Sequence, residues 1–175
     1  MISKKMSDRI NEQINKEMYS AYLYMALSAK MSEAGYAGVG KWLMVQYHEE
    51  MFHAMKFYAY LESQSAAVEL KALAKPEVAE KSVKDIFVKV LAHEKGVTAS
   101  IHELAALALE EKDYATQGLV AWYVSEQVEE EKNAADILQT IELVGNSAQG
   151  IFLVNVELGK RGLSIPTDFT AMGGH

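Results

Sequence analysis

Cysteine is absent from the 175-residue sequence. That excludes disulfides, thiolate-held zinc and iron–sulfur clusters, and it suits the reducing cytoplasm in which we expect the protein to work. Only 2 prolines occur, and the 11 glycines are no enrichment. Alternating β-branched runs are also missing, so an all-α reading is the natural one. No apolar run is long enough to span a membrane. The segment from Met1 to Asn11 is polar and charged, without the apolar core of a secretory signal. Positive charge is in short supply: 17 Lys and Arg stand against 24 Asp and Glu, a net charge of −7. That balance disfavours nucleic acid and anionic membranes as partners and favours a cation. There is no fixed-period repeat, and the one low-complexity stretch is the tail near 167–175.

What is present is apolar residue in quantity, 50% of the chain, enough to fill the core of one domain over 1–175. Four long segments carry it at alternating three- and four-residue steps, the seam of packed helices. The first, about Ser7 to Ala34, has Ile10, Ile14, Glu17, Ala21, Tyr24, Ser28 and Met31 on its stripe. The second, about Val39 to Ser65, has Leu43, Gln46, Glu50, His53, Phe57 and Tyr60. The third, about Ser82 to Lys112, has Val83, Phe87, Val90, Glu94, Val97, Ile101, Leu104 and Ala108. The fourth, about Tyr114 to Val144, has Val120, Tyr123, Gln127, Glu130, Ala134, Ile137, Ile141 and Val144.

Short connections at Ala34–Gly38 and Lys112–Asp113 predict two antiparallel pairs. The longer stretch from Ala66 to Lys81, interrupted by Pro76, can cross a helix length and let the second and third helices run parallel. The expectation is a four-helix bundle over about 7–144 with one long crossover. A short fifth helix over about 148–159 and a tail over 160–175 follow. The fifth segment is apolar nearly all round (Ile151, Phe152, Leu153, Val154, Val156, Leu158), as is Met18–Leu27. Both predict contact with further copies of the chain.

Each stripe is broken by polar groups near the middle of its helix: Glu17, then Glu50 with His53, then Glu94, then Gln127 with Glu130. In helices of similar length such positions meet at one level of the core. A lone helical glutamate is ordinarily solvated, but four interruptions, one per seam, are a pattern. Four converging carboxylates in an apolar interior repel one another and pay for their lost hydration. Two divalent cations cancel their charge, which predicts a dinuclear metal site. Glu50-x-x-His53 puts both side chains on one helix face. Oxygen-rich ligation with one imidazole suits iron or manganese more than structural zinc. One step round their helices, Glu49, Glu126 and Glu129 form a second acidic group. With Glu130 they either hold a further cation or are simply a solvated face, and spacing alone leaves both open. Tyr24, two turns from Glu17, either serves the site or packs. Trp42 and Trp122 read as packing residues, and His48, His93 and His102 as surface or interface residues.

Four stretches carry a family resemblance: NEQINKEMYSAYLYMALS around Glu17, HEEMFHAMKFYAYL around Glu50 and His53, AHEKGVTASIHEL around Glu94, and AWYVSEQVEEEKNAADIL around Gln127 and Glu130. The sequence resembles the prokaryotic non-haem ferritins over nearly its whole length, least in the crossover and tail. The resemblance implies a ferritin-like bundle and a hollow homo-oligomeric shell of twenty-four chains with the fifth helix near its fourfold axes. It implies iron storage and a ferroxidase that oxidises Fe(II) with dioxygen or hydrogen peroxide. Glu17, Glu50 and His53 resemble the ligands of one iron. Glu50, Glu94 and Glu130, with Gln127 adjacent, resemble those of the other. Glu49, Glu126, Glu129 and Glu130 resemble a third iron site, and Tyr24 matches the tyrosine beside the centre. The fourth helix departs from the second Glu-x-x-His of bacterioferritins, rubrerythrins and di-iron oxygenases. Bacterioferritins hold haem through a methionine placed like Met51, but non-haem relatives carry it too, and no haem is expected. A competing reading is a DNA-protecting mini-ferritin, with its iron site between subunits and often a basic tail. The intrasubunit ligand set, the fifth segment and the acidic charge argue against it. An inert helical assembly is the third reading.

Overall fold

The computed structural model describes residues 2–145 and 147–170. Five α-helices follow one another, with no strand among the described residues: α1 Lys4–Glu33, α2 Ala37–Ser63, α3 Val83–Glu110, α4 Tyr114–Val144 and α5 Ala148–Leu158. The chain divides into two compact units. One joins Ser3–Ala79 to the segment from Phe152 onward; the other is Glu80–Ile151.

In the first unit, Ser3 accepts a hydrogen bond from the Met6 amide at 2.9 Å and caps α1. The helix therefore starts at Lys4, one turn ahead of the start expected near Ser7. Every residue of that stripe, from Ile10 to Met31, is buried. At the far end Gly35 takes φ +88°, and the Tyr36 amide bonds back to the Met31 carbonyl at 2.9 Å. This left-handed closure turns the chain onto α2. The Ser28 hydroxyl donates to the Gly40 carbonyl at 2.7 Å, so the two helices touch closely where they meet. The absence of a side chain at Gly40 permits this, since a Cβ there would lie 2.4 Å from Ser32 Oγ.

No side chain at the start of α2 caps it. Asn155 of α5 does so from 117 residues away: its Oδ1 accepts from the Gly38 amide at 2.9 Å and from the Val39 amide at 3.1 Å. A Cβ on Gly38 would sit 1.8 Å from the Asn155 carbonyl oxygen, so α5 docks only against glycine. Lys41 adds a bond to the Gly159 carbonyl at 2.9 Å. The crossover, residues 64–82, is strapped to α1 at its beginning. Asn11 Nδ2 donates to the Ala67 carbonyl at 3.0 Å, and Asn11 Oδ1 accepts from the Glu69 amide at 2.7 Å. Of the tail expected over 160–175, the part beyond Thr170 lies outside the described residues.

In the second unit Ser82 caps α3 by accepting from the Asp85 amide at 3.1 Å. The stripe from Val83 to Ala108 is buried throughout. The helix ends at Glu110, two residues short of the expected Lys112, because Lys112 takes φ +54° and the Asp113 amide bonds to the Ala108 carbonyl at 2.9 Å. Asp113 then caps α4, accepting from the Thr116 amide at 3.0 Å. α4 runs back along α3: Gln117 meets the Ala108 carbonyl near the turn, Thr98 meets Glu131 at mid-span, and Lys84 pairs with Glu142 at the far end. Val120, Tyr123, Gln127, Glu130, Ala134 and Ile141 are buried on α4, while Ile137 and Val144 are half-buried. Each fully buried aliphatic side chain in these seams contributes about 1.5–3 kcal/mol. On α5, Phe152 and Leu153 remain 63% and 66% exposed.

Candidate metal centre

The apolar seams bring acidic groups inside with them. In the first unit Glu17 of α1 and Glu50 and His53 of α2 are all at least 98% buried. One ligand atom from each lies within 4.8 Å of the other two. Gln13, one turn before Glu17 and equally buried, donates from Nε2 to Glu17 Oε1 at 2.8 Å and fixes that carboxylate. His53 Nδ1 stands 3.4 Å from Glu50 Oε2, as the three-residue spacing on one helix face requires. Burial, and to a smaller degree the nearby Lys56 charge, pushes the His53 imidazole down to about 3. At neutral pH it is therefore uncharged, the form that can donate a ring nitrogen to a metal.

The second unit carries buried polar groups of its own on α3 and α4. Glu94, Gln127 and Glu130 are 0%, 3% and 4% exposed. Gln127 Nε2 reaches Glu94 Oε2 at 3.2 Å and the Glu94 carbonyl oxygen at 3.3 Å. The Glu94 side chain is thus held by a neutral donor on the facing helix.

Two carboxylate oxygens and one imidazole nitrogen within ligand distance of one another make a hard, oxygen-rich donor set. Burying such charge costs several kcal/mol per group. A divalent cation offsets that cost, and an oxygen-rich set with one nitrogen selects iron or manganese over the thiolate-preferring ions. The donor chemistry therefore fits Fe(II).

The remaining expected site residues behave differently. Tyr24 is fully buried on the α1 stripe. Glu126 is half-buried and Glu129 exposed. Glu49 is buried, but its Oε2 accepts from Arg161 Nη2 at 2.6 Å. The same guanidinium bonds Gln46 Oε1 and lies 4.6 Å from the centre of the Trp42 ring. A cation already neutralises Glu49, and a metal ion there would have to displace Arg161. Periodicity did not reveal Arg161, Gln13 or Asn155. Arg161 sits past the last helix, where no seam pattern runs. Gln13 had a readable signal: a second polar residue four positions before Glu17 on the same face. His48 and His93 are half-buried and His102 is exposed.

A family model, the ferritin-like domain, matches residues 7–144. The chain is 41% identical over 155 residues to a bacterial non-heme ferritin of Campylobacter jejuni, covering 89% of this chain and 93% of that protein. It is 36% identical over 159 residues to a probable bacterial non-heme ferritin-like protein of Haemophilus influenzae, covering 91% and 96%. Among solved structures it is similar to an open-pore ferritin from the hyperthermophilic archaeon Archaeoglobus fulgidus. The TM-score is 0.91 at 40% identity, over 93% of this chain and 100% of that one. An engineered closed form of the Archaeoglobus protein gives a TM-score of 0.92 at 40% identity, over 94% and 100%. The fold is accordingly the all-α four-helix bundle with a short C-terminal helix. Fold, buried acidic seams and sequence all lead to one lineage: the chain belongs to the ferritin family.

Proposed function

We propose that this protein is an iron-storage ferritin whose chain is also a ferroxidase. One observation carries the reading: carboxylates buried at mid-helix on all four long helices, Glu17, Glu50, Glu94 and Glu130, with a neutral buried imidazole, His53, among the first two. Burying these carboxylates costs several kcal/mol each, a cost that a pair of bound cations offsets. Glu17, Glu50 and His53 hold one Fe(II). Glu50, Glu94 and Glu130, with the Gln127 amide beside them, hold the other. Each Fe(II) gives up one electron. Dioxygen takes the two with two protons and leaves as hydrogen peroxide; alternatively hydrogen peroxide takes them with two protons and leaves as two waters. The anionic pocket stabilises the more highly charged Fe(III) product, and its rigid helices hold the pair in register. Tyr24 serves as the neighbouring hydrogen-bonding or electron-donating group. Fe(III) then passes to the interior of a homo-oligomeric shell and deposits as ferric oxyhydroxide.

Stopped-flow absorbance on Fe(II) mixed with air-saturated buffer tests this. Glu94→Ala and Glu130→Ala each remove one carboxylate from the second ion and should slow ferric formation at least about 10-fold, while the shell still assembles, because ligand loss acts on the metal directly. Rates equal to those of the unaltered protein would remove both residues from the centre.

A further inference from the structure

The fourth seam offers Gln127 where a second Glu-x-x-His would have a carboxylate, and an amide has a problem a carboxylate lacks: it can present either its oxygen or its nitrogen. The surroundings of Gln127 decide which. Its Nε2 lies 3.2 Å from Glu94 Oε2, 3.3 Å from the Glu94 carbonyl oxygen and 3.3 Å from Thr98 Oγ1. The first is a carboxyl oxygen, and the second is a backbone carbonyl, which can only accept. The third is a hydroxyl, which could in principle donate to an amide oxygen instead. It does not, because Thr98 Oγ1 is 2.6 Å from Glu131 Oε1, and a carboxylate can only accept. The single hydroxyl proton is spent on Glu131, so Thr98 turns a lone pair toward Gln127. Reversing the amide would set its oxygen against the Glu94 carbonyl and that lone pair, two repulsive contacts in a buried site, and would take its N–H away from the Glu94 carboxyl group.

We propose that Thr98 and Glu131 are positioning residues of the iron site. Together they fix the Gln127 amide with its nitrogen on Glu94 and leave its oxygen as the end available to iron. The inference rests on the ferroxidase reading. It adds that an uncharged oxygen donor is delivered by a relay running from the half-buried Glu131 through Thr98 to the buried Gln127. It also explains why Gln can stand on α4: with the carboxylate charge already sufficient for two divalent ions, an oriented amide supplies an oxygen without further repulsion.

The test is anaerobic titration of the assembled protein with Co(II), whose visible absorption reports ligand geometry, alongside Fe(II) binding under the same conditions. Thr98→Val keeps the shape and removes the hydroxyl. It should weaken one of the two ions about 10-fold, as loss of an orienting outer partner does, and alter the Co(II) bands of that ion. Thr98→Ser restores the hydroxyl and should return both affinity and spectrum. Glu131→Ala frees the hydroxyl proton and should reproduce the Thr98→Val spectrum through a different residue. Circular dichroism of each variant checks that the helices are intact. Unaltered affinity and bands in Thr98→Val overturn the proposal. So does a Thr98→Ser variant as impaired as Thr98→Val, which would make the role one of packing. If the unsubstituted protein bound no pair of ions, the ferroxidase reading itself would fall, a result distinct from a normal centre that ignores Thr98.

Discussion

Among single residues, the proposed function bears most heavily on Glu50. Its carboxylate is 1% exposed, with Glu17 and His53 within ligand reach. In the metal-free chain two carboxylates share one apolar site, and the imidazole beside them is uncharged. Buried ionic groups are costly enough that replacing them by well-packed uncharged side chains is often neutral or stabilising, by up to about 1–4 kcal/mol. Glu50→Gln should therefore make the metal-free protein more stable by about 1–3 kcal/mol. Denaturant unfolding in the presence of a chelator measures this. The same variant should lose most of the stabilisation that Fe(II) or Co(II) confers anaerobically, because bound ligand stabilises only in proportion to its affinity. A metal-free Glu50→Gln protein weaker than the parent would mean that Glu50 is structural. At this scale the sequence is most legible where chemistry breaks a pattern: Glu17, Glu50, His53, Glu94, Gln127 and Glu130 all stand out from apolar seams and all are buried. It is least legible where one polar side chain serves another across space. The Thr98–Glu131 bond joins two helices and has no period, and the Arg161 guanidinium on Glu49 spans 112 residues.

Among the elements, helix interiors could be read from periodicity and helix ends from local caps. Ser3, Ser82 and Asp113 each stand where a capping side chain belongs, and each accepts from an amide three residues on. The start of α2 could not be read this way, because its cap comes from α5. Removing that cap by Asn155→Ala should cost about 1 kcal/mol. Gly38→Ala should cost more, about 1–3 kcal/mol, because a Cβ 1.8 Å from the Asn155 carbonyl oxygen forces the helices apart. Thermal unfolding of the two variants checks the order. Equal stability of Gly38→Ala and the parent would show that α5 does not rest on α2. The left-handed residues at Ser65 and Lys112 were also invisible beforehand, since neither is the glycine or asparagine that marks such a turn.

The molecule as a whole keeps apolar surface that a solitary chain would hide. Phe152 and Leu153 stand out from α5. A shallow apolar hollow of about 250 Å³ opens between α1 and α2, lined by Met18, Tyr22, Met25, Tyr47, Met51 and Leu73. Patches of this kind mark association sites. They support the proposal that copies of the chain assemble into a shell, as the apolar runs at Met18–Leu27 and 148–159 lead one to expect. On the proposed function, the stored iron is the cargo of that assembly and its oxidation the work of each chain. The most direct measurement is a crystal structure of the protein soaked anaerobically in Fe(II), with iron located by anomalous scattering. The account predicts two iron ions per chain, one touching Glu17, Glu50 and His53 and the other Glu50, Glu94 and Glu130. Iron bound only at exposed carboxylates, with these buried groups free of it, would contradict the account.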